Sequence, residues 1–282
     1  MRTKSISKKN KIGIIGGNGV MGQWFYKFFK DSGFIVEIAD INTKLSNQDI
    51  AKQCKIIILS TPINEAKSIS EQIGKDLKPD QILMDICSQK EQILDCMLQY
   101  SNSEVVGTHP MFGPSVLSMK NQNIVLCKGR GDTGFLWIKD LFLSAGANVT
   151  VLDGIEHDKY MAIVQSLTHF LSICFAKTLQ KMGLHPKDLF NTSTPVFKVN
   201  SDIIGRLFAQ DPALYATLIG SNKYTGQCLK LFSESFQETE EHLVSGSHEN
   251  ATRYIAEIGN FLGSYKKEAM DRSNKFLNII FE

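Results

Sequence analysis

Net charge is almost absent from this sequence: 31 Lys and Arg stand against 29 Asp and Glu, leaving +2. A balance so close to zero sets up no global field that would recruit nucleic acid or an anionic membrane. No apolar segment of signal-peptide or membrane-spanning length follows the basic N-terminal residues Arg2, Lys4, Lys8, Lys9 and Lys11. A soluble, cytoplasmic protein without a membrane partner is the expectation. Cysteine is sparse, and Cys54, Cys87, Cys96, Cys127, Cys174 and Cys228 show no CxxC or Cys/His ligand spacing. Most sit in apolar runs, where cysteine acts as a small hydrophobe, so reduced structural thiols and no metal site are expected. Internal repeats and low-complexity stretches are also missing.

What is present is a chain of 282 residues, 43% hydrophobic, long enough to bury a sizeable core in two domains. Short apolar runs at 12–17, 34–40, 55–60, 81–86, 104–107, 123–127 and 148–152 read as strands, several apolar enough to be buried on both faces. The amphipathic segments 21–33, 62–77 and 90–100 read as helices between them. That alternation predicts an α/β fold, with a Rossmann-type, mainly parallel sheet and helices on both faces. Beyond Val151 the strand signals stop and long helical patterns take over, broken near 183–186, 193–195, 210–212 and 245–247. The expected organisation is a flexible tail over 1–10, a dinucleotide-binding domain over 11–152 and an all-helical domain over 153–282.

Gly17-Asn18-Gly19-Val20-Met21-Gly22 follows the first strand and opens a helix. Glycines there let the backbone turn tightly and approach a pyrophosphate, whose charge meets free N–H groups at the helix start. Asp40 ends the second strand about 20 residues further on, where a carboxylate accepts from an adenosine ribose. A carboxylate repels a 2′-phosphate, so NAD is expected over NADP, with Lys44 as the residue able to soften that preference. Ser60, Thr61 and Pro62, closing the third strand, complete the expected cofactor set.

Ligands of open α/β sheets lie outside the carboxyl ends of the strands. Two such ends carry suitable chemistry: Ser88 and Lys90 in DICSQK, and His109 in GTHPMFGP. Imidazole takes a proton near neutral pH, and oxidation of a carbinol needs a base on the O–H as the C–H leaves as hydride. The rival readings are a backbone-bonded loop histidine and a helix N-cap at Ser88.

Along the long helix from about Asp153 to Met182, a spacing of roughly 100° per residue puts Asp158, Ala162, Gln165, His169, Ser172 and Ala176 in one stripe. Ile163, Val164, Leu167, Phe170, Leu171 and Phe175 cover the rest, which predicts a buried helix whose polar line faces a ligand or another element. His157 falls off the stripe and reads as structural. Arg206, among Ile203, Ile204, Leu207 and Phe208, requires an anionic partner, either an acid such as Asp211 or a substrate carboxylate. The next helix has Asp211 as its N-cap and Pro212 at its first position.

Taken together, GIIGGNGVMG, SQK, GTHPMFGP, EHD, QSLTHF and GRLFAQDPALYA, in this order, resemble the prephenate dehydrogenase family. The likeness is closest to the dehydrogenase part of bifunctional chorismate mutase–prephenate dehydrogenases, and it runs from about Lys11 to Phe276. It implies NAD-dependent oxidative decarboxylation of prephenate to 4-hydroxyphenylpyruvate in tyrosine biosynthesis, and a homodimer built through the helical domain. By the same resemblance His109 is the catalytic base on the ring hydroxyl and Ser88 helps to hold that hydroxyl. Lys90 and His169 are active-site residues that line the substrate, and Arg206 binds a substrate carboxylate; Gln165, from the polar stripe, is expected as a further substrate contact. Lys198 stands where the bifunctional enzymes would have an arginine. With about ten residues before the first strand, no mutase domain or mutase activity is expected. Arogenate and 4-amino-4-deoxyprephenate remain alternative substrates. A 3-hydroxy-acid or imine dehydrogenase and a non-catalytic NAD-binding regulator remain alternative functions.

Overall fold

The computed structural model describes residues 6–281; of the tail expected over 1–10, residues 1–5 lie outside them, while Ser7 and Asn10 close a turn. Among the described residues the first half builds one seven-stranded sheet: β1 Lys11–Ile15, β2 Ile35–Ala39, β3 Ile56–Leu59, β4 Ile82–Asp85, β5 Glu104–Pro110, β6 Asn123–Arg130 and β7 Asn148–Leu152. The strand order is β2-β1-β3-β4-β5-β6-β7. The first five strands run parallel, β6 runs antiparallel to β5, and β7 is parallel to β6.

Helices α1 Val20–Asp31, α2 Asn47–Gln53, α3 Ile63–Ile73, α4 Glu91–Tyr100 and α5 Thr133–Ser144 cover the sheet. Because successive side chains in a strand point to opposite faces, the apolar runs split into two cores. On one face Ile57, Leu59, Leu83 and Val105 pack with Ile50, Ile69, Ile73, Ile93 and Met97 from α2, α3 and α4. On the other Ile12, Ile14, Ile58, Met84 and Leu126 pack with Phe25 and Phe29 of α1 and Ile138 and Phe142 of α5. Burial on both faces is why these strands read as unbroken hydrophobic runs rather than as alternating ones. α2 and α5 carry no expectation from the sequence, since α2 is short and α5 is apolar on most sides.

A helical run of 29 residues follows: α6 Gly154–Met161, a wider π-helical stretch Ala162–Leu167, and α7 Thr168–Met182. By contacts the chain divides after Met161, so that α6 belongs with the sheet. The second unit continues with α8 Pro186–Leu189, α9 Pro195–Phe208, α10 Pro212–Gly220, α11 Thr225–Glu240, α12 His248–Leu262 and α13 Tyr265–Phe281. Thr194, Asp211 and Ser247 accept from first-turn N–H groups as N-caps of α9, α10 and α12, and Pro195 and Pro212 occupy first helical positions, as the local sequence demands.

One expectation fails on the long run. It is long and apolar enough to span a membrane, yet it is not a buried helix: Ile163, Val164, Leu171 and Phe175 are at least two-fifths exposed. The expected stripe is its less exposed side, with Asp158 and Ala162 buried and Gln165, His169, Ser172 and Ala176 half-buried. The π-helical stretch adds residues to the turn, and the buried positions there are Ala162 and Ser166, not Gln165. Ser166 Oγ accepts from Thr225 Oγ1 at 2.9 Å, an anchor between the run and α11.

Candidate active site

Strand register aligns Ile15, Leu59, Asp85 and Gly107 in one row across β1, β3, β4 and β5. Every residue assigned by sequence to the cofactor edge or to the base lies just beyond that row or on the adjoining end of β2. The row spans three strand spacings, roughly 14 Å, an extended distance that suits a dinucleotide. The chain reverses its direction of progress across the sheet between β1 and β3, which opens a crevice at their carboxyl ends.

At that crevice Gly16, which lies outside the expected set, takes φ +81, a left-handed backbone that suits glycine. Gly22 is packed so tightly that a Cβ would meet Gly16 O at 2.3 Å. Gly19, by contrast, is exposed, and a Cβ there would meet Gly16 O at 3.3 Å with little else nearby. As N-cap of α1 it offers no side chain, and no acid occupies the first turn, so the start of the helix keeps its positive potential. Asp40 accepts from Asn18 N at 2.8 Å and Ile41 N at 2.7 Å, which braces its carboxylate beside the turn. Lys44 is exposed. At the end of β3 the Thr61 hydroxyl is buried without a hydrogen-bond partner among the described residues. A bare helix start, an uncovered glycine, a braced carboxylate and an orphaned hydroxyl fit the phosphates and ribose of a dinucleotide.

Next along the edge is a buried polar cluster. His109, 3% exposed, is not in a loop: β5 runs on through Pro110, and His109 pairs with Val125 of β6. Its Nδ1 lies 2.8 Å from Nε2 of His157, and Nδ1 of His157 lies 2.7 Å from Oδ1 of Asp158. Asp158 also accepts from Lys90 N at 2.7 Å and Glu91 N at 3.0 Å, the start of α4. Burial first, then the neighbouring His157 and Lys90, push the His109 imidazole well below its ordinary value of 6.5. The ring is therefore neutral at pH 7 and can accept a proton.

Lys90 departs from the expectation of a cation offered to substrate. It is fully buried and ion-paired with Asp85, whose other oxygen has no partner among the described residues. The reason is position: Lys90 precedes α4 directly and points inward over Asp85 on β4. Ser88 is half-buried and does not cap α4, whose N-cap is Lys90.

In the helical unit, His169 is half-buried with its ring edge-on to Tyr215, centroids 4.9 Å apart, and burial lowers its pKa. Gln165 is partly exposed. Arg206 departs from the apolar setting expected of it: it is exposed on the last turn of α9, where a cation meets the negative helix end. Asp211 uses Oδ1 to cap α10.

His157 is the residue that sequence reading set aside as structural, while Asp158 stood on the polar stripe without an assigned role. The signal was the EHD segment itself; angular spacing placed His157 off the polar line, because that line assumed ligands only on one side of the helix.

The prephenate dehydrogenase nucleotide-binding domain family matches residues 31–151, and the prephenate dehydrogenase dimerization domain family matches residues 153–257. A T-protein of Enterobacter agglomerans is 31% identical over 267 residues, covering 94% of this chain and 70% of that protein. A probable arogenate/prephenate dehydrogenase of Methanocaldococcus jannaschii is 29% identical and covers 94% of this chain and 64% of that protein. The crystal structure of prephenate dehydrogenase from A. aeolicus in complex with hydroxyphenyl propionate and NAD+ shares the fold, with a TM-score of 0.75 and 22% identity over 95% of this chain and 99% of that one.

Proposed function

This chain belongs to the prephenate dehydrogenase family, and from that premise we propose that it converts prephenate to 4-hydroxyphenylpyruvate by NAD-dependent oxidative decarboxylation, a step towards tyrosine. The observation that carries this reading is His109, a neutral buried imidazole on the same row of strand ends as the glycine turn.

Bound at the glycine turn, the cofactor supplies a hydride acceptor. Gly17 to Gly22 hold its pyrophosphate, Asp40 its ribose, and Ser60, Thr61 and Pro62 border it at the end of β3. The Asp40 carboxylate favours NAD over NADP. Ser88 holds the ring hydroxyl while His109 takes its proton. As the ketone begins to form, the ring carboxylate leaves as CO2 because the product ring is aromatic. The substrate is a dianion, and Arg206 is assigned to one carboxylate, with His169 and Gln165 as further contacts. Lys90 is assigned to the strand end itself, where it neutralises Asp85.

The exposed apolar residues Ile163, Val164, Leu171 and Phe175 are assigned to contact with a second copy in a soluble, cytoplasmic homodimer. The dimerization-domain family that matches residues 153–257 supports that assignment.

Arogenate is the second reading, favoured by the name of the Methanocaldococcus jannaschii relative. Steady-state comparison of prephenate, arogenate and 4-amino-4-deoxyprephenate, each with NAD and NADP, tests both. CO2 release in step with NADH, with prephenate preferred, is expected; a preference for an amino-bearing compound overturns the prephenate assignment.

A further inference from the structure

We propose that His157 and Asp158 are positioning residues that select the tautomer of His109 and hold the proton His109 displaces. The proposal rests on His109 acting as the base.

Hydrogen-bond roles propagate from Asp158. Its carboxylate accepts from Lys90 N and Glu91 N, so it also acts as an acceptor toward His157 Nδ1, and that nitrogen must carry a proton. A neutral His157 then has an unprotonated Nε2, which accepts from His109 Nδ1–H across 2.8 Å. The proton of His109 is thereby committed to Nδ1, and Nε2 is the nitrogen left basic. Without this chain the two tautomers of a buried imidazole compete, and one of them cannot act as a base at Nε2.

The same chain disposes of charge. When the substrate O–H proton moves to His109 Nε2, the Nδ1 proton moves to His157 Nε2. His109 ends neutral, with its proton on Nε2, while His157 becomes an imidazolium against the Asp158 carboxylate. The positive charge comes to rest on a buried ion pair instead of a lone buried ring. Reversal of the two transfers, after the product leaves, returns the proton to water. Other titratable groups facing this cluster are Asp85 and Lys90 at the end of β4 and the start of α4, and Cys127 on β6, whose thiol burial pushes up to about 12.

Nitrogen-15 NMR of histidine-labelled enzyme, with His109→Asn and His157→Gln variants for assignment, reads the tautomers directly and needs no turnover. The expected resting pattern is a proton on Nδ1 and none on Nε2 of His109. A proton on Nε2 of resting His109 overturns the proposal. In turnover, His157→Gln keeps a donor for Asp158 and an acceptor for His109 but cannot take the proton. It should lower kcat by about tenfold at unchanged KM, less than the roughly 10²- to 10⁴-fold typical of losing the base itself, and turn a curved proton inventory in mixed H2O and D2O into a linear one. An unchanged kcat and inventory overturns the proposal. Failure to oxidise any of the three candidate substrates would instead sink the proposed function, while the tautomer result would stand.

Discussion

Gly107 leaves the space that Lys90 fills: a Cβ at position 107 would come within 3.1 Å of Lys90 Cδ. The first glycine of GTHPMFGP thus serves the buried Lys90–Asp85 pair one strand away, while His109 two residues later reaches His157 from the same face of β5.

That pair is fully desolvated, so its partners depend on each other. Lys90→Met should destabilise the protein by about 3–5 kcal/mol, because it strands a carboxylate in the core. Adding Asp85→Asn should recover most of the loss. Chemical denaturation of the single and double variants checks this; equal losses in both would mean that packing, not charge, is at stake.

Replacing the base tests the chemistry. His109→Asn should lower kcat by about 10²- to 10⁴-fold and leave NAD affinity, read by fluorescence titration, unchanged. Because burial keeps the ring neutral, the acid limb of kcat/KM in the native enzyme should lie below pH 6.5. A limb above that value would place the essential base elsewhere.

The same depressed pKa affects stability. Unfolded, His109 titrates near 6.5; folded, it titrates well below. Above about pH 6.5 neither state is protonated there, and the full stability is present. As pH falls through the window between the two values, the unfolded chain takes up the proton first. Stability should then drop by up to about 1.4 kcal/mol per pH unit from this site. His169, lowered by burial, adds to the same trend. Urea unfolding across that window should show a shallower slope for His109→Asn; identical slopes would contradict the assignment.

Two glycines of the cradle should separate binding from folding. A Cβ at Gly19 meets only Gly16 O at 3.3 Å and Ser60 O at 4.0 Å, in an extended conformation that alanine adopts. Gly19→Ala should therefore fold normally and bind NAD at least about tenfold more weakly, by barring close approach of the phosphates. Gly22→Ala puts a Cβ 2.3 Å from Gly16 O and should destabilise the domain whether or not NAD is present. Thermal melts with and without NAD distinguish the two, and a Gly19→Ala enzyme with native NAD affinity would argue against pyrophosphate at that turn.

Much of this molecule was determined locally. Runs such as Ile56–Leu59 and Ile82–Met84 became strands buried on both faces, because their alternating side chains are apolar on either side. The glycines before α1, the acid ending β2, and Asp211-Pro212 at the start of α10 declare themselves by backbone requirements that neighbours in sequence satisfy. His109 could likewise be picked out by residue type and by its place at a strand end. Tertiary structure alone decided what surrounds it. His157 and Asp158 meet His109 and the start of α4 through contacts between residues far apart in sequence, and the angular stripe excluded His157 because it allowed for partners on one side of the helix only. The fate of Lys90 was decided in the same way: a lysine before a helix is ordinarily solvated, and only the bare backbone at Gly107 and the carboxylate of Asp85 bring it inside.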